Sequence, residues 1–158
     1  MPLSSFSEII VAVILVVSIL RALQAACPPG WLNRQDSCYI LLPQKMNWFD
    51  AKKACDRPGV SLVFPNSIEE HIYLWEEMST WMKELGANSS DDLQLWINCY
   101  RTDEEPYICS GYEGTSSFRN WDSTEPTNDP IEDCVRMAGN YESNWGNKVC
   151  HVKYFCRL

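Results

Sequence analysis

Glu125 and Glu132 are the residues of this sequence best suited to chemistry. They lie in a polar, acidic, proline-containing stretch that begins at Trp121 and leads into the last three cysteines of the chain. Two carboxylates can act as the acid and base of a glycosidase. No other feature supports hydrolysis, since the sequence has no Gly-x-Ser-x-Gly nucleophile motif and no glycine-rich phosphate loop. We therefore predict a binding protein without catalytic residues.

Composition predicts one folded domain and limits its partners. The chain has 158 residues, of which 46% are hydrophobic, so it can bury a core. Its formal net charge is -8. Nucleic acid and anionic membrane surfaces attract cationic proteins, so this charge argues against both partners. An acidic chain is compatible with cations and with neutral ligands.

Residues 1–26 differ from the rest of the chain and resemble a secretory signal peptide. Residues 9–20 are almost entirely apolar, and small residues follow up to Ala26. At ~1.5 Å per residue, this apolar stretch is too short for a bilayer core of about 30 Å. The preceding segment carries Glu8 and no Lys or Arg, so an uncleaved anchor is the alternative. We predict cleavage near Ala26, a mature domain over residues 27–158, and no membrane span after cleavage.

All eight cysteines lie after that segment. An even number of cysteines behind a signal peptide indicates disulfides in an oxidising, extracellular compartment. Zinc sites need Cys-x-x-Cys or Cys/His clusters, and the nearest approach to one is Cys150-His151, where adjacent residues rarely form a clean site. Eight cysteines allow about 105 pairings, so the residues alone leave the connectivity open.

Two helices are predicted from their starting residues. Asn47 precedes the first helix with Asp50 three residues on, and Ser67 precedes the second with Glu70 three residues on, which is typical of capping boxes. The predicted apolar face of the second helix consists of Ile68, Ile72, Leu74, Trp75, Met78, Trp81, Met82 and Leu85. We interpret its glutamates as a solvated face rather than a cation site. We interpret His71, at the edge of the apolar face, as a packed or surface residue rather than a base.

Extended segments are predicted at residues 93–100, 134–137, 148–150 and 152–156. Cys99 and Cys109 bracket a polar excursion, and a local disulfide is the simplest interpretation. Asn88 begins the only Asn-x-Ser/Thr sequon, in a polar loop that would tolerate a glycan, so it is a predicted glycosylation site.

Taken in order, these motifs resemble the C-type lectin-like domain. The carriers are Cys-Pro-Pro-Gly-Trp at 27–31, Leu-Trp-Ile-Asn at 95–98, Phe-Arg-Asn-Trp at 118–121, Glu-Pro at 125–126, Glu-Asp-Cys at 132–134, the segment 145–150, and Phe-Cys at 155–156. The match runs from Cys27 to Cys156. It implies the long form of the domain, with an α+β fold of two helices packed on small antiparallel sheets and a long polar ligand loop.

The resemblance also implies a disulfide pattern. The expected bonds are Cys27–Cys38, Cys55–Cys156, Cys99–Cys109 and Cys134–Cys150. The second bond would tie the first helix to the last strand, and the fourth would brace the base of the long loop. For the loop of about a hundred residues closed by the second bond, chain-entropy models give about 4.7 kcal/mol.

Sugar-binding members of that family hold one Ca²⁺ in this loop, where it coordinates sugar hydroxyls. Ca²⁺ takes about six to eight oxygen ligands. The matching positions here are Glu125, Thr127, Glu132 and Asn147, which the resemblance implies as metal-binding and ligand-binding residues. Thr127 replaces the usual Asn or Asp, Gly146 replaces an Asn, and Asn147 replaces an Asp. A set with fewer charged ligands predicts weaker Ca²⁺ binding.

Neighbouring residues bear on this expected site. Asn128, Asp129 and Asn144 lie nearby in sequence and can supply further oxygens. The Glu-Pro-Thr sequence matches neither the mannose-type nor the galactose-type motif of the family, although Glu125 agrees with the mannose type. We expect Trp145 to pack in the core rather than on a sugar ring.

The resemblance therefore implies a secreted lectin that binds glycans or glycoproteins on cell or microbial surfaces through Ca²⁺. The alternative is a lectin-like protein that binds a protein or another non-sugar ligand without metal. A third hypothesis is a matrix-associated or mineral-associated protein that uses its acidic surface.

Overall fold

The computed structural model describes residues 4–24, 27–104, 106–111 and 114–157. It divides into two compact units, residues 1–40 and residues 41–158.

The N-terminal unit contains one helix and one hairpin. The helix α1 spans Ser4–Gln24, and β1 (Leu32–Arg34) pairs with β2 (Ser37–Tyr39) in antiparallel register. A disulfide joins Cys27 to Cys38. Among the described residues, no helix combines the length and the apolar character that crossing a membrane requires. The cleavage site predicted near Ala26 lies outside the described residues and stays a prediction.

The C-terminal unit is an α+β domain built on a seven-stranded sheet. Its helices are α2 (Trp48–Ala54) and α3 (Ile68–Glu84), and its strands are β3 (Leu41–Met46), β4 (Gln94–Tyr100), β5 (Ile108–Gly111), β6 (Gly114–Ser116), β7 (Cys134–Ala138), β8 (Trp145–Lys148) and β9 (Tyr154–Arg157). Short 3₁₀ turns span Ser90–Asp92 and Gly139–Tyr141. The strand path is β3-β9-β4-β5-β6, and β7 pairs with both β4 and β8. The α+β prediction is confirmed, with the difference that β4 and β9 run parallel.

Side-chain caps start both helices of this unit where the sequence predicted them. The Asp50 N–H donates to Asn47 Oδ1 at 2.9 Å, and the Glu70 N–H donates to Ser67 Oγ at 3.2 Å. Each cap satisfies a donor that the first helical turn cannot pair internally. The return half of the second box differs, because the Glu70 carboxylate accepts from the Asn66 N–H instead.

Helix α3 buries a narrower face than its apolar pattern predicted. Its buried residues are His71, Leu74, Met78 and Met82. Ile68 and Ile72 are 43% and 49% exposed, although both belong to the predicted face. His71 is 1% exposed and is therefore a packed residue. A histidine can be buried here because both of its ring nitrogens meet polar side chains.

Strand β4 is the centre of the sheet, and all but the last of its residues are buried. The extended segments predicted at 93–100 and 134–137 correspond to β4 and β7. The prediction of a strand at 148–150 is wrong. The strand in this region is β8, which begins at Trp145 and ends at Lys148. The fully buried Trp145 fixes the start of β8 against Met137 of β7, a tertiary contact that local sequence does not encode.

Two further disulfides brace this unit. Cys99–Cys109 links directly paired residues of β4 and β5, and Cys134–Cys150 closes the base of the long polar segment.

The remaining expected bond, Cys55–Cys156, is not formed in the structure, where both residues are buried free thiols. Burial raises the pKa of each thiol to about 12, and for Cys55 the neighbouring Cys156 adds to the shift. Because the thiolate is the reactive form of cysteine, such buried thiols are poor nucleophiles while they remain reduced.

Candidate ligand site

The loop from Trp121 to Cys150, called the ligand loop below, is fixed at its base by Trp145. The Asp122 N–H donates to the Trp145 carbonyl at 2.9 Å, and the Trp145 N–H donates to the Asn120 carbonyl at 2.8 Å. The Trp145 ring is fully buried and meets the edge of Trp121 with centroids 6.0 Å apart. Trp145 is therefore a core residue, and its ring is not available to stack on a sugar.

Residues 126–131 form the longest exposed stretch of the ligand loop. The peptide bond between Glu125 and Pro126 is cis. Directly after it, the Thr127 N–H donates to Glu125 Oε2 at 3.1 Å. The segment therefore places a carboxylate and an exposed hydroxyl side by side.

Three acceptors converge on Thr127. Besides its bond to Glu125, the Thr127 N–H donates to Asn147 Oδ1 at 2.9 Å. The Thr127 hydroxyl donates to Glu132 Oε2 at 2.8 Å and lies 3.2 Å from Asn147 Oδ1. The structure thus brings together all four residues that the sequence analysis singled out, in one hydrogen-bonded cluster.

Asn147 lies at the bottom of this cluster and is 1% exposed. Its Nδ2 donates to the Thr127 carbonyl at 3.2 Å and to the Glu132 carbonyl at 3.1 Å. Two carbonyl acceptors on one side and the Thr127 N–H donor on the other fix the orientation of the amide. Asn147 therefore links two positions of the loop by hydrogen bonds, and its side chain does not face an incoming ligand.

Glu125 is held by a tyrosine from the second 3₁₀ turn. The Tyr141 hydroxyl donates to Glu125 Oε1 at 2.7 Å, and the Asn147 N–H lies 3.4 Å from Glu125 Oε2. The pKa of Tyr141 is raised, first because its hydroxyl donates to Glu125 and then by burial, while Arg136 acts in the opposite direction. The phenol accordingly stays protonated and continues to donate to the carboxylate.

Glu132 is paired with a lysine. Lys148 Nζ lies 3.0 Å from Glu132 Oε1, and the two side chains are 37% and 12% exposed. The opposite oxygen of the same carboxylate accepts from the Thr127 hydroxyl. Both oxygens of Glu132 are thus engaged by donors of the chain itself, and its charge is balanced by an ammonium group.

Gly146 leaves room for a buried arginine. A Cβ at residue 146 would lie 2.6 Å from Arg136 Nη1, 2.5 Å from the Tyr141 ring and 3.0 Å from Glu125 Oε1. The Arg136 guanidinium carbon lies 5.2 Å from the centre of the Tyr141 ring, and Arg136 is directly opposite Gly146 across β7 and β8. The space that a side chain at 146 would occupy is therefore taken up by a cation and a phenol.

These residues do not fit the Ca²⁺ site that the resemblance implied. Every carboxylate and amide oxygen of Glu125, Glu132 and Asn147 accepts a hydrogen bond from a donor of the chain. Gly146 supplies no side-chain ligand, and Lys148 neutralises Glu132, one of the two carboxylates. Across the residues with described positions, no group of three His, Cys, Asp or Glu side chains is placed to hold a metal. Ca²⁺ needs about six to eight oxygens turned towards one point and an excess of negative charge, whereas these oxygens are turned towards donors of the chain and Lys148 balances one of the two carboxylates.

Two of the three nearby residues that the sequence analysis named as further oxygen sources accept other hydrogen bonds. Asn144 Oδ1 accepts from Asn120 at 2.9 Å, and Asp129 Oδ1 accepts from the Ile131 N–H at 3.1 Å. The sequence analysis missed Tyr141, Arg136 and Lys148 as members of the site. Only Arg136 carried a signal, since a charged residue inside an otherwise apolar predicted strand needs a partner.

Comparison with known proteins agrees with this fold. The family model described as the lectin C-type domain matches residues 44–156. The human scavenger receptor C-type lectin carbohydrate-recognition domain superposes with a TM-score of 0.63 at 27% identity, covering 84% of this chain and 98% of that one.

Two curated relatives show the same similarity at the sequence level. C-type lectin domain family 4 member M of Nomascus concolor is 33% identical over 132 residues, which is 80% of this chain and 29% of that protein. C-type mannose receptor 2 of Homo sapiens is 32% identical over 127 residues, which is 79% of this chain and 8% of that protein. The chain therefore spans less than a third of these two relatives. The motifs, the fold and the family model together place this chain in the C-type lectin domain family.

Proposed function

We propose that this chain is an extracellular carbohydrate-binding protein whose ligand contacts are Glu125, Thr127 and Glu132. The observation that carries the proposal is the convergence of these three side chains with Asn147 in the loop that the family uses for ligands. One relative is named as a mannose receptor. Two other named proteins are described as C-type lectin carbohydrate-recognition domains.

The chemistry of the cluster suits a sugar. Each carboxylate has about four lone-pair positions, so Glu125 and Glu132 can accept further hydrogen bonds beside those made within the chain. Thr127 is exposed and its hydroxyl can accept as well as donate. A sugar presents adjacent hydroxyls that both donate and accept, which matches a small surface of closely spaced oxygens. Glu125 and Thr127 would contact the sugar hydroxyls and set specificity.

We also propose that the protein works outside the cell, on glycans of cell or microbial surfaces. Three disulfides support this proposal, because such bonds form and persist in oxidising compartments. The net charge of -8 opposes nonspecific adsorption to anionic membranes and leaves selection to the loop.

A glycan array tests the proposal. The chain, produced by secretion from cultured cells, is multimerised through a C-terminal tag and applied to the array. We expect signals for a defined group of glycans and their loss in Glu125→Gln, because Gln removes the charge and replaces one of the two acceptor oxygens with an amide donor. Glu84→Gln removes an exposed glutamate at the end of α3 and is the matched control. A blank array, or equal signals from both variants, would refute glycan binding at this site.

A second candidate is a protein ligand. Ile131 is 62% exposed within the otherwise polar tip of the ligand loop. A protein partner can bury such an aliphatic side chain and gain from removing it from water, whereas a hydrophilic sugar gains little from it. An array without signal, together with binding to a protein partner that Ile131→Ser removes, would favour this candidate.

A further inference from the structure

We propose that three residues of the chain, Asn147, Lys148 and Arg136, take the place of Ca²⁺ in the ligand loop, so that the loop binds without metal and Lys148 contacts the glycan directly. The inference deepens the proposed function and rests on it for the ligand class. Hydrogen bonds within the chain would hold the loop, and Lys148 would supply the positive charge next to the ligand.

Asn147 holds the loop together through hydrogen bonds. Its amide joins the backbone of Thr127 to that of Glu132 by two donated hydrogen bonds of 3.2 and 3.1 Å. A carboxylate at 147, which the family's metal site uses, could not donate to either carbonyl. The replacement of Asp by Asn is therefore a gain of two internal bonds rather than only the loss of a charge.

Lys148 supplies a positive charge beside Glu132. Its ammonium lies 3.0 Å from Glu132 Oε1, and its side chain is 37% exposed. An ammonium group has three N–H donors, and the bond to Glu132 uses one of them. The remaining donors lie beside the Glu132 carboxylate, whose other oxygen accepts from the Thr127 hydroxyl. A hydroxyl can therefore bridge the ammonium and the carboxylate, as it would bridge a metal and its ligand.

Arg136 supplies a second positive charge, near Glu125. It is 5% exposed, and its Nε and Nη1 have no hydrogen-bond partner among the described side chains and backbone. Nη1 and Glu125 Oε1 both lie within 3.0 Å of the point where a Cβ of residue 146 would be. The guanidinium thus places a buried positive charge near the Glu125 carboxylate. Gly146 and Arg136 form a matched pair, since a larger residue at 146 would displace the cation.

Together these contacts set both glutamates of the cluster, Glu125 and Glu132, against cations of the chain. Glu132 faces Lys148 and Glu125 lies near Arg136. A Ca²⁺ ion entering this cluster would meet two positive groups and a carboxylate pair already balanced, which removes the electrostatic reason to bind. The loop is therefore organised in the absence of metal.

Thermal unfolding with CaCl₂ alone is the first test. The unmodified chain is melted in buffer with EDTA and in buffer with CaCl₂ at about 10 mM, with MgCl₂ at the same ionic strength as control. We expect the three Tm values to agree within about 1 °C. A ligand that binds only the folded state raises Tm, so a rise of several degrees specific to Ca²⁺ would overturn the inference.

Variants of Lys148 are the second test. We expect Lys148→Met to weaken binding to the best array glycan by about tenfold or more, because it removes charge-assisted hydrogen bonds. Lys148→Arg should retain most binding, since it keeps the charge and the donors. Lys83→Met, which removes an exposed lysine from the last turn of α3, is the matched control. Unchanged binding by Lys148→Met would remove Lys148 from the site.

The two proposals fail in different ways. A blank array refutes glycan binding but leaves the Ca²⁺ melting experiment to decide how the loop is held. A glycan signal that disappears in EDTA supports the proposed function and overturns the metal-free inference. A glycan signal of the same strength in EDTA and in CaCl₂ supports both.

Discussion

The indole Nε1 of Trp145 donates a hydrogen bond to Nδ1 of His71 at 3.2 Å, in the core at the base of the ligand loop. The other ring nitrogen, Nε2, lies 3.1 Å from Ser143 Oγ. Because an indole can only donate, Nδ1 must remain unprotonated for this bond to exist. Burial lowers the pKa of His71 to about 4. A neutral histidine thus links helix α3 to the strand that fixes the loop.

This relationship predicts an acid-sensitive fold. The pKa of His71 is about 4 in the folded protein and about 6.5 in an unfolded chain. Between these values the unfolded state binds more protons, so folding stability falls as pH falls. The contribution of His71 is fully present above about pH 6.5 and is lost progressively towards pH 4. We expect Tm to decrease over this range in melts followed by circular dichroism.

A variant distinguishes the contribution of His71 to the acid sensitivity from that of the carboxylates, which also titrate at low pH. His71→Leu should melt at a lower temperature than the unmodified chain at pH 7, because Trp145 loses its acceptor. Its Tm should also depend less on pH between about 6.5 and 5. An equally steep dependence in the variant would assign the acid sensitivity to other groups.

Gly146→Ala should destabilise the domain. The added methyl group would meet Tyr141, Arg136 and Glu125 at 3.0 Å or less. Overpacking of this kind typically costs about 1–3 kcal/mol. We expect a lower midpoint in urea unfolding and weaker glycan binding, since Glu125 must move. Ser123→Ala, at an exposed position of the same loop, is the control and should change neither property.

Cys55 and Cys156 should be able to form the bond that the family pattern implies. Cys55 Sγ lies 4.0 Å from the carbonyl of Arg157, the residue after Cys156, and the charge of Cys156 contributes to the raised pKa of Cys55. We expect the secreted protein to have no free thiol after denaturation and to yield a peptide linked through these two residues in nonreducing mass mapping. Its closure should add up to about 4.7 kcal/mol of stability.

The double variant Cys55→Ala/Cys156→Ala shows what this pair contributes. It should fold with the other three disulfides but unfold at lower denaturant concentration than the oxidised protein. Two reactive thiols per denatured chain in the secreted, unmodified protein would contradict the prediction and agree with the free thiols of the structure.

Asn88 should carry a glycan when the chain is secreted from animal cells. It is exposed in the loop after α3, and the sequon continues through Ser89 and Ser90. We expect treatment with an amidase specific for N-glycans to increase the electrophoretic mobility, and Asn88→Gln to migrate like the treated protein without any change in Tm. Secreted protein whose mobility is unaffected by the enzyme would show that the sequon is not used.

Helix starts and the family could be predicted from the sequence because local chemistry encodes them. Asn47 and Ser67 cap helices through atoms three residues away, so their effect needs no tertiary structure. The boundaries of β8 could not be predicted, because they depend on the burial of Trp145 between elements distant in sequence. For the same reason the apolar pattern of α3 overestimated the buried width of that helix and left the position of His71 undecided.

The sequence by itself determined that Glu125, Thr127, Glu132 and Asn147 belong to one ligand loop, because their order and spacing are those of a known family. Only the tertiary structure decided what these residues do there. Pairing of β7 with β8 sets Arg136 opposite Gly146 and carries Lys148 to Glu132. Whether an oxygen can bind a cation depends on the donors that already surround it, and those donors come from segments that meet only when the chain is folded.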